Sequence, residues 1–472
     1  MSGALPAAPA ITPLTPRTLP RSRDILKLAA PLMVTNAIQS VLNLTDTWFL
    51  GQLSSSAVAA MSAIYWIMSC AIMLIGGVGM SSQAFVSQLA GARCYTRAAN
   101  AAWNAVWFSV ASVVPFFALA FAGKWLLQPF DLDSTTQTLA LEYWQPRMFG
   151  AAIGNAQWAL LGFFNGVGAT RLTLLIAVIT TVANVPANQI LMFTLHMGMA
   201  GSAWGTNLAQ CVGFAAALYF FLSKRYAGQY RSRIVWRPRW KVLRQQFRIG
   251  APVGVMYGAD VFGVALFQLM IAKIGTAQAA ATQIVIMLTS LGYMPTIGIA
   301  SAGTTLVGQA IGRKDYAAAR QIGNRVIRLC VAMMLSVAVL LLLTGQWVLP
   351  LFFAADDPHA AATTAVALSV LWFAAAYQGF DGLYFGSSFC MRAAGDTRMP
   401  ALTALLLSWF VFVPLAHTLI FAPGQAWFGH LPQAGWGARG GWIALMCYAM
   451  TLGSSMLLRW RSGRWQRIAA LA

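Results

Sequence analysis

The fold class predicted is an all-α polytopic membrane protein. Its twelve transmembrane helices form two pseudo-symmetric six-helix lobes around a central cleft. Three observations predict it. The 472 residues are 59% hydrophobic and only 9% charged, with a mean hydropathy of +0.66, whereas soluble domains carry about 25% charged residues. Apolar runs long enough to span a bilayer recur twelve times. The two halves of the chain also repeat one another.

Residues 1–24 are rich in Pro, Ala and Thr and carry Arg17, Arg21 and Arg23. They lack the apolar core and small-residue cleavage site of a signal peptide, so a disordered cytoplasmic tail is expected. Apolar runs follow near 27–50, 58–82, 99–122, 140–165, 172–194 and 200–222, then near 249–272, 278–304, 323–347, 362–389, 398–421 and 440–458. With a cytoplasmic N-terminus, 27 basic residues fall on the inner side and 4 (Lys124, Arg147, Lys273, Arg439) on the outer. The positive-inside rule then places both termini in the cytoplasm.

The repeat has a fixed frame. Pro31 to Gln88 and Pro252 to Gln309 each span 57 residues, and Gly168-Ala169-Thr170-Arg171 answers Gly395-Asp396-Thr397-Arg398. An even number of spans per copy inserts both copies the same way up, a frequent design for a transporter with its cavity between two lobes. The expected divisions are an N-lobe at 25–223, a basic linker at 224–247, a C-lobe at 248–460 and a cytoplasmic tail at 461–472. Within the linker, Trp236, Trp240 and Phe247 stand among arginines, a pattern of a helix lying on anionic lipid or of a plain topological anchor. The net charge of +20 follows this topology and does not indicate nucleic acid.

Little chemistry is available for catalysis. The six cysteines are scattered with no C-x-x-C, so neither disulfides nor a metal site is expected. No Walker A loop, H-E-x-x-H or G-x-S-x-G occurs, and the four histidines (His196, His359, His417, His430) are placed in outer loops. The chain reads as a non-enzyme without a cofactor, whose transport is driven by an ion gradient. A membrane enzyme or receptor would need clustered catalytic groups or a sizeable soluble domain.

Only eleven acids exist, and three lie within spans: Asp46, Asp260 and Asp381. Asp260 follows Arg248 by 12 residues and Asp381 precedes Arg392 by 11. At the helical rise, both sit roughly 17 Å above the inner face. Tyr293, midway between Lys273 and Arg313, lies at similar depth. Two carboxylates sharing a low-dielectric site cannot both be ionised and unpaired. One keeps a proton, or a cation such as Na⁺ sits between them. Asp46 is nearer the outer face. Asn184 and Asn188, four apart around Pro186, share a helix face. Aromatic and methionine side chains suit an adaptable cavity for flat organic cations, and aromatics equally belong at membrane interfaces.

These residues resemble the multidrug and toxic-compound extrusion (MATE) transporters, in particular the NorM-like branch, over residues 25–460. The resemblance rests on Pro31 with Asp46-Thr-Trp-Phe-Leu-Gly51, on Gln88-Leu-Ala-Gly91-Ala92 and on Asn184-Val-Pro186-Ala-Asn188. In the second half it rests on Pro252 with Asp260, on Gln309-Ala-Ile-Gly312, and on Asp381 followed by Arg392 and Gly395-Asp396-Thr397-Arg398. It implies a monomeric antiporter of the bacterial inner membrane that exchanges Na⁺ or H⁺ for cationic drugs, with membrane lipid as its other partner. It assigns coupling-ion binding to Asp260, Tyr293 and Asp381, and in the first lobe to Asp46, Asn184 and Asn188. Drug contact falls to Gln283 and the outer loop Asp356-Asp357. Position 260 carries Asp where NorM-like members usually carry the longer Glu. The position aligned with Asp381 in the first half is Gly154, so the main ion site is expected in the second lobe. The alternative is a lipid-linked oligosaccharide flippase of the related exporter superfamily. Such proteins tend to line the cavity with basic residues, which here lie almost entirely outside the spans.

Overall fold

The computed structural model describes residues 19–128, 134–352, 360–425 and 432–470. Among them there is no strand. The first six spans are α1 (Ser22–Leu53), α2 (Ser55–Gly91), α3 (Tyr95–Ala111) continued by α4 (Val113–Leu127), α5 (Ser134–Gly166), α6 (Thr170–Asn188) and α7 (Gly198–Phe221). A short helix, α8 (Lys224–Tyr230), leads to the second six: α9 (Trp240–Ile274), α10 (Thr276–Gly312), α11 (Tyr316–Val348), α12 (Ala360–Ala393), α13 (Arg398–Leu407) with α14 (Val413–Ile420), and α15 (Gly437–Arg461). A final helix, α16 (Arg464–Ala470), follows.

Among the described residues, ten spans are long and apolar enough to cross a membrane, and α7, bent by 58° against α8, makes an eleventh. The twelfth is α5, which carries Arg147, Asn155 and Gln157 along with its apolar residues. Over half of α5 is buried against α2 and α7. A helix screened from lipid by its neighbours can be this polar. Large apolar side chains face outward instead, among them Val114, Trp125, Leu343, Trp372 and Phe410. Such a surface belongs in hydrocarbon and not in water.

The repeat is visible as paired turns. At the end of the molecule where both described termini lie, α2 turns into α3 through Arg93 (φ 59°) and α10 into α11 through Lys314 (φ 60°). The turns into α6 and α13 use Gly168 (φ 85°) and Gly395 (φ 79°). A positive φ costs glycine least, which accounts for the repeated G-x-T-R. The fifth and eleventh spans are each interrupted by a wide π-turn, at Gln189–Thr194 and Ser408–Phe412.

Three expectations are corrected. His417 is buried in α14 beside Phe421, with ring centroids 5.2 Å apart, and is not in a loop. Arg147 lies within α5, where its guanidinium bonds Asn207 at 3.1 Å. The basic linker, expected over 224–247, is shorter. Its last residues from Trp240 onward already belong to α9, and its middle is tied to the first lobe, with Trp103 donating to Ser232 O at 2.7 Å and Asn100 to Val235 O at 3.0 Å. Unpaired carbonyls of an extended segment need donors, and α3 presents them. His359 and His430 lie outside the described residues.

The lobes meet where α1 and α2 face α9 and α10. Glycines set the approach, as small residues do between membrane helices. A Cβ on Gly77 would strike the backbone of Gly254, and one on Gly91 the backbone of Gln309. Asn36 donates to Met294 O at 3.1 Å, Gln83 to Ser301 O at 2.8 Å and Ser87 to Thr304 O at 3.5 Å. Nearest the basic end the contact is reciprocal. Gln88 donates to Ala393 O at 2.6 Å, and its repeat mate Gln309 donates to Gly166 O at 3.1 Å. Among the described residues, the hydrogen bonds that join the lobes run from mid-depth to the basic end. That end is therefore closed.

Candidate functional site

Two carboxylates are held inside the second lobe. Asp381, on α12, accepts the phenol of Tyr293 from α10 at 2.5 Å, and Tyr293 lies 3.0 Å, oxygen to oxygen, from Tyr377. Asp260, on α9, accepts Tyr384 at 2.6 Å and Tyr448, from α15, at 3.5 Å. Tyr377 and Tyr384 flank Asp381 on its own helix at i−4 and i+3, so one helix face presents all three. Rings pack the site in place: Phe385 makes edge contact with Tyr293 at 5.6 Å and meets Tyr384 at 5.1 Å. Asp260 and Asp381 are near enough to feel each other's charge.

Charge compensation is the telling feature. Among the described residues, the ion pair is Asp396 with Arg459 at 2.9 Å, at the basic end. Neither Asp260 nor Asp381 has a cationic side chain in contact. Neutral phenols donate hydrogen bonds to a carboxylate but cannot neutralise it. An arrangement of this kind takes up a proton or a small cation when it is closed off from water. The buried amide of Gln378, one turn before Asp381, has no protein partner for either polar atom and is a further oxygen donor within the same helix face.

The first lobe holds one carboxylate in a different setting. Asp46, on α1, is 7% exposed. It accepts Asn188 at 2.7 Å and Thr206, from α7, at 3.1 Å, while Asn188 also reaches Asn184 at 3.3 Å. The i, i+4 pair expected around Pro186 is thus brought onto Asp46. Gly205 allows it, because a Cβ there would run into Asn188 Oδ1. Arg147 reaches the same helix, bonding Asn207 at 3.1 Å next to Thr206, the hydroxyl partner of Asp46.

The six residues assigned to ion binding therefore fall into two clusters: Asp260, Tyr293 and Asp381 in one lobe, Asp46, Asn184 and Asn188 in the other. Gln283 is exposed on α10, apart from both. Asp356 and Asp357 lie outside the described residues. Sequence reasoning missed Tyr377, Tyr384, Tyr448 and Thr206. The first two were accessible from their helical spacing to Asp381. The last two arrive from α15 and α7 by tertiary packing alone.

Comparison with known proteins follows the same lines. A family model described as MatE matches residues 31–190 and 252–418. The chain is 29% identical over 461 residues to a probable multidrug resistance protein NorM of Burkholderia pseudomallei, covering 95% of this chain and 94% of that one. It is 28% identical over 466 residues to the probable NorM of Pseudomonas aeruginosa, covering 94% and 90%. Among solved structures, an outward-facing multidrug resistance MATE family transporter of the MOP superfamily superimposes with a TM-score of 0.82 at 21% identity, over 95% of this chain and 96% of that one. A MOP superfamily transporter from Pyrococcus furiosus does so with a TM-score of 0.80 at 21% identity and the same coverage.

Proposed function

The chain belongs to the MatE family, and from that premise we propose that it is a multidrug antiporter, exporting organic cations in exchange for Na⁺ or H⁺. The names of its bacterial relatives support drug efflux as the activity. The basic end, with both termini, faces the cytoplasm and the protein sits in the inner membrane. One chain is sufficient, since each lobe carries its own carboxylate cluster and the cleft lies between the two.

The observation that carries ion coupling is the phenol-capped, cation-free pair Asp260 and Asp381. An antiporter needs a site whose charge changes with ion loading and whose loading shifts the balance between two states. The second lobe meets that need better than the first, because it holds two carboxylates where the first holds one. In the closed-basic-end state the pair loads a cation from outside. Neutralising it permits the lobes to rock apart at the basic end, where the drug enters as the ion leaves.

The test is ethidium efflux from vesicles energised first by a Na⁺ gradient and then, separately, by an H⁺ gradient. One of the two should drive efflux, and Asp381→Asn should insert normally yet lose it. Wild-type efflux by Asp381→Asn, or efflux with neither gradient imposed, rules the reading out.

A further inference from the structure

We propose that the groove between the first turns of α9 and the start of α13 is a binding site for the phosphate-bearing headgroup of an anionic phospholipid. The groove measures about 840 Å³, and its lining includes Lys241, Arg244 and Arg248 of α9, Arg398 of α13, and Gln245 and Phe247. Lys241, Arg244 and Arg248 stand at i, i+3 and i+7, so one face of α9 presents all three. Arg398 comes from a helix 150 residues further along the chain. The nearest acid in sequence, Asp396, is buried and taken by Arg459 at 2.9 Å. None of the four cations has an ion-pair partner among the described residues.

Topology explains why loops on this face are basic. It does not explain why cations from two separate segments converge on one groove without a carboxylate. Like charges brought together repel, and an anion seated among them relieves the repulsion. A phosphodiester suits this lining, because guanidinium groups bind phosphate oxygens in pairs.

The surroundings select a lipid over a soluble anion. Both helices run straight from the groove into the membrane as spans. Phe247 in the lining is 53% exposed and Trp240 beside it 78%, which sets apolar rings against cations at the level of the headgroups. A second pocket of about 540 Å³ shares Lys241 and Gln245 with the groove and extends to Arg97, Arg239 and Gln88. The groove thus adjoins a pocket that reaches Gln88, one of the glutamines that join the lobes. The binding itself does not depend on the transport reading.

The experiment reconstitutes the full chain into bilayers of phosphatidylcholine with and without phosphatidylglycerol, then measures bound lipid by mass and the thermal midpoint. Wild type should retain phosphatidylglycerol in preference to phosphatidylcholine, and salt should weaken the preference. The triple variant Lys241→Gln, Arg244→Gln, Arg248→Gln should lose affinity for phosphatidylglycerol by roughly 100-fold. The control triple Arg313→Gln, Lys314→Gln, Arg320→Gln, on the same face, should keep it. If the first triple does not fold, the single variants Arg244→Gln and Arg398→Gln should each show a loss of about fivefold. No preference in wild type, an equal loss in the control, or saturation of the groove by inorganic phosphate in place of lipid would each overturn the proposal.

Discussion

At Asp260 and Asp381 the chemistry is set by what surrounds each carboxylate and not by the residue type. Hydrogen bonds to a charged group are worth about 1.5–3 kcal/mol each. Tyr384→Phe removes the 2.6 Å donor from Asp260 and should alter the half-saturating concentration of the coupling ion by about tenfold. Ion-dependent ethidium efflux, titrated with the driving ion, checks the shift. The pair Asp396–Arg459 offers the opposite case, a carboxylate already neutralised. Its side chains are 2% and 18% exposed, so Arg459→Ala strands a buried charge and should cost about 3 kcal/mol. A lowered thermal midpoint with the efflux site intact is the expected reading. Asp381 was legible from sequence because a carboxylate among apolar neighbours is conspicuous. Tyr448 was not, because a tyrosine in a membrane helix is ordinary until packing aims its hydroxyl.

Helices and their joints carry the next level. Gln88 and Gln309 occupy equivalent repeat positions, and each bonds a carbonyl of the opposite lobe. Replacing both with leucine removes two interlobe hydrogen bonds while keeping the volume. The lobes should then spend more time apart at the basic end. Spin labels at Arg93 and Lys314, the equivalent exposed turns, should report a longer mean distance in the double variant than in wild type. Gly91→Val attacks the same joint by bulk, since a Cβ there meets the Gln309 backbone, and should act in the same direction. Overpacking of this kind costs about 1–3 kcal/mol. The spacing from Pro to Gln was plain in the sequence. Its purpose was hidden, because the bonded carbonyls at 166 and 393 lie far away in the chain.

For the molecule as a whole, twelve spans and the distribution of basic residues make a prediction about sidedness. A cysteine at Lys124, exposed at the sparsely basic end, should react with a membrane-impermeant thiol reagent in intact cells. A cysteine at Lys314 should react only after the cells are opened. The protein is a transporter of the MatE family, closed at its basic end, and its lobes share a frame while differing inside. Gly154, aligned with Asp381, carries no side chain and sits against the Gln210 amide. Asp46 serves the first lobe from another helix.

The amino-acid order alone determined the membrane-spanning helices, their number and their division into two copies. These follow from local hydropathy and a rise of about 1.5 Å per residue. Even α5, with Arg147, Asn155 and Gln157, was legible as an apolar run near 140–165. Tertiary structure decided what surrounds each charge: phenols at Asp260 and Asp381, amides and a hydroxyl at Asp46, a guanidinium at Asp396. It also decided which end is shut and moved His417 out of a loop into a buried helix. Partners on distant helices are chosen by packing, and no single segment encodes them.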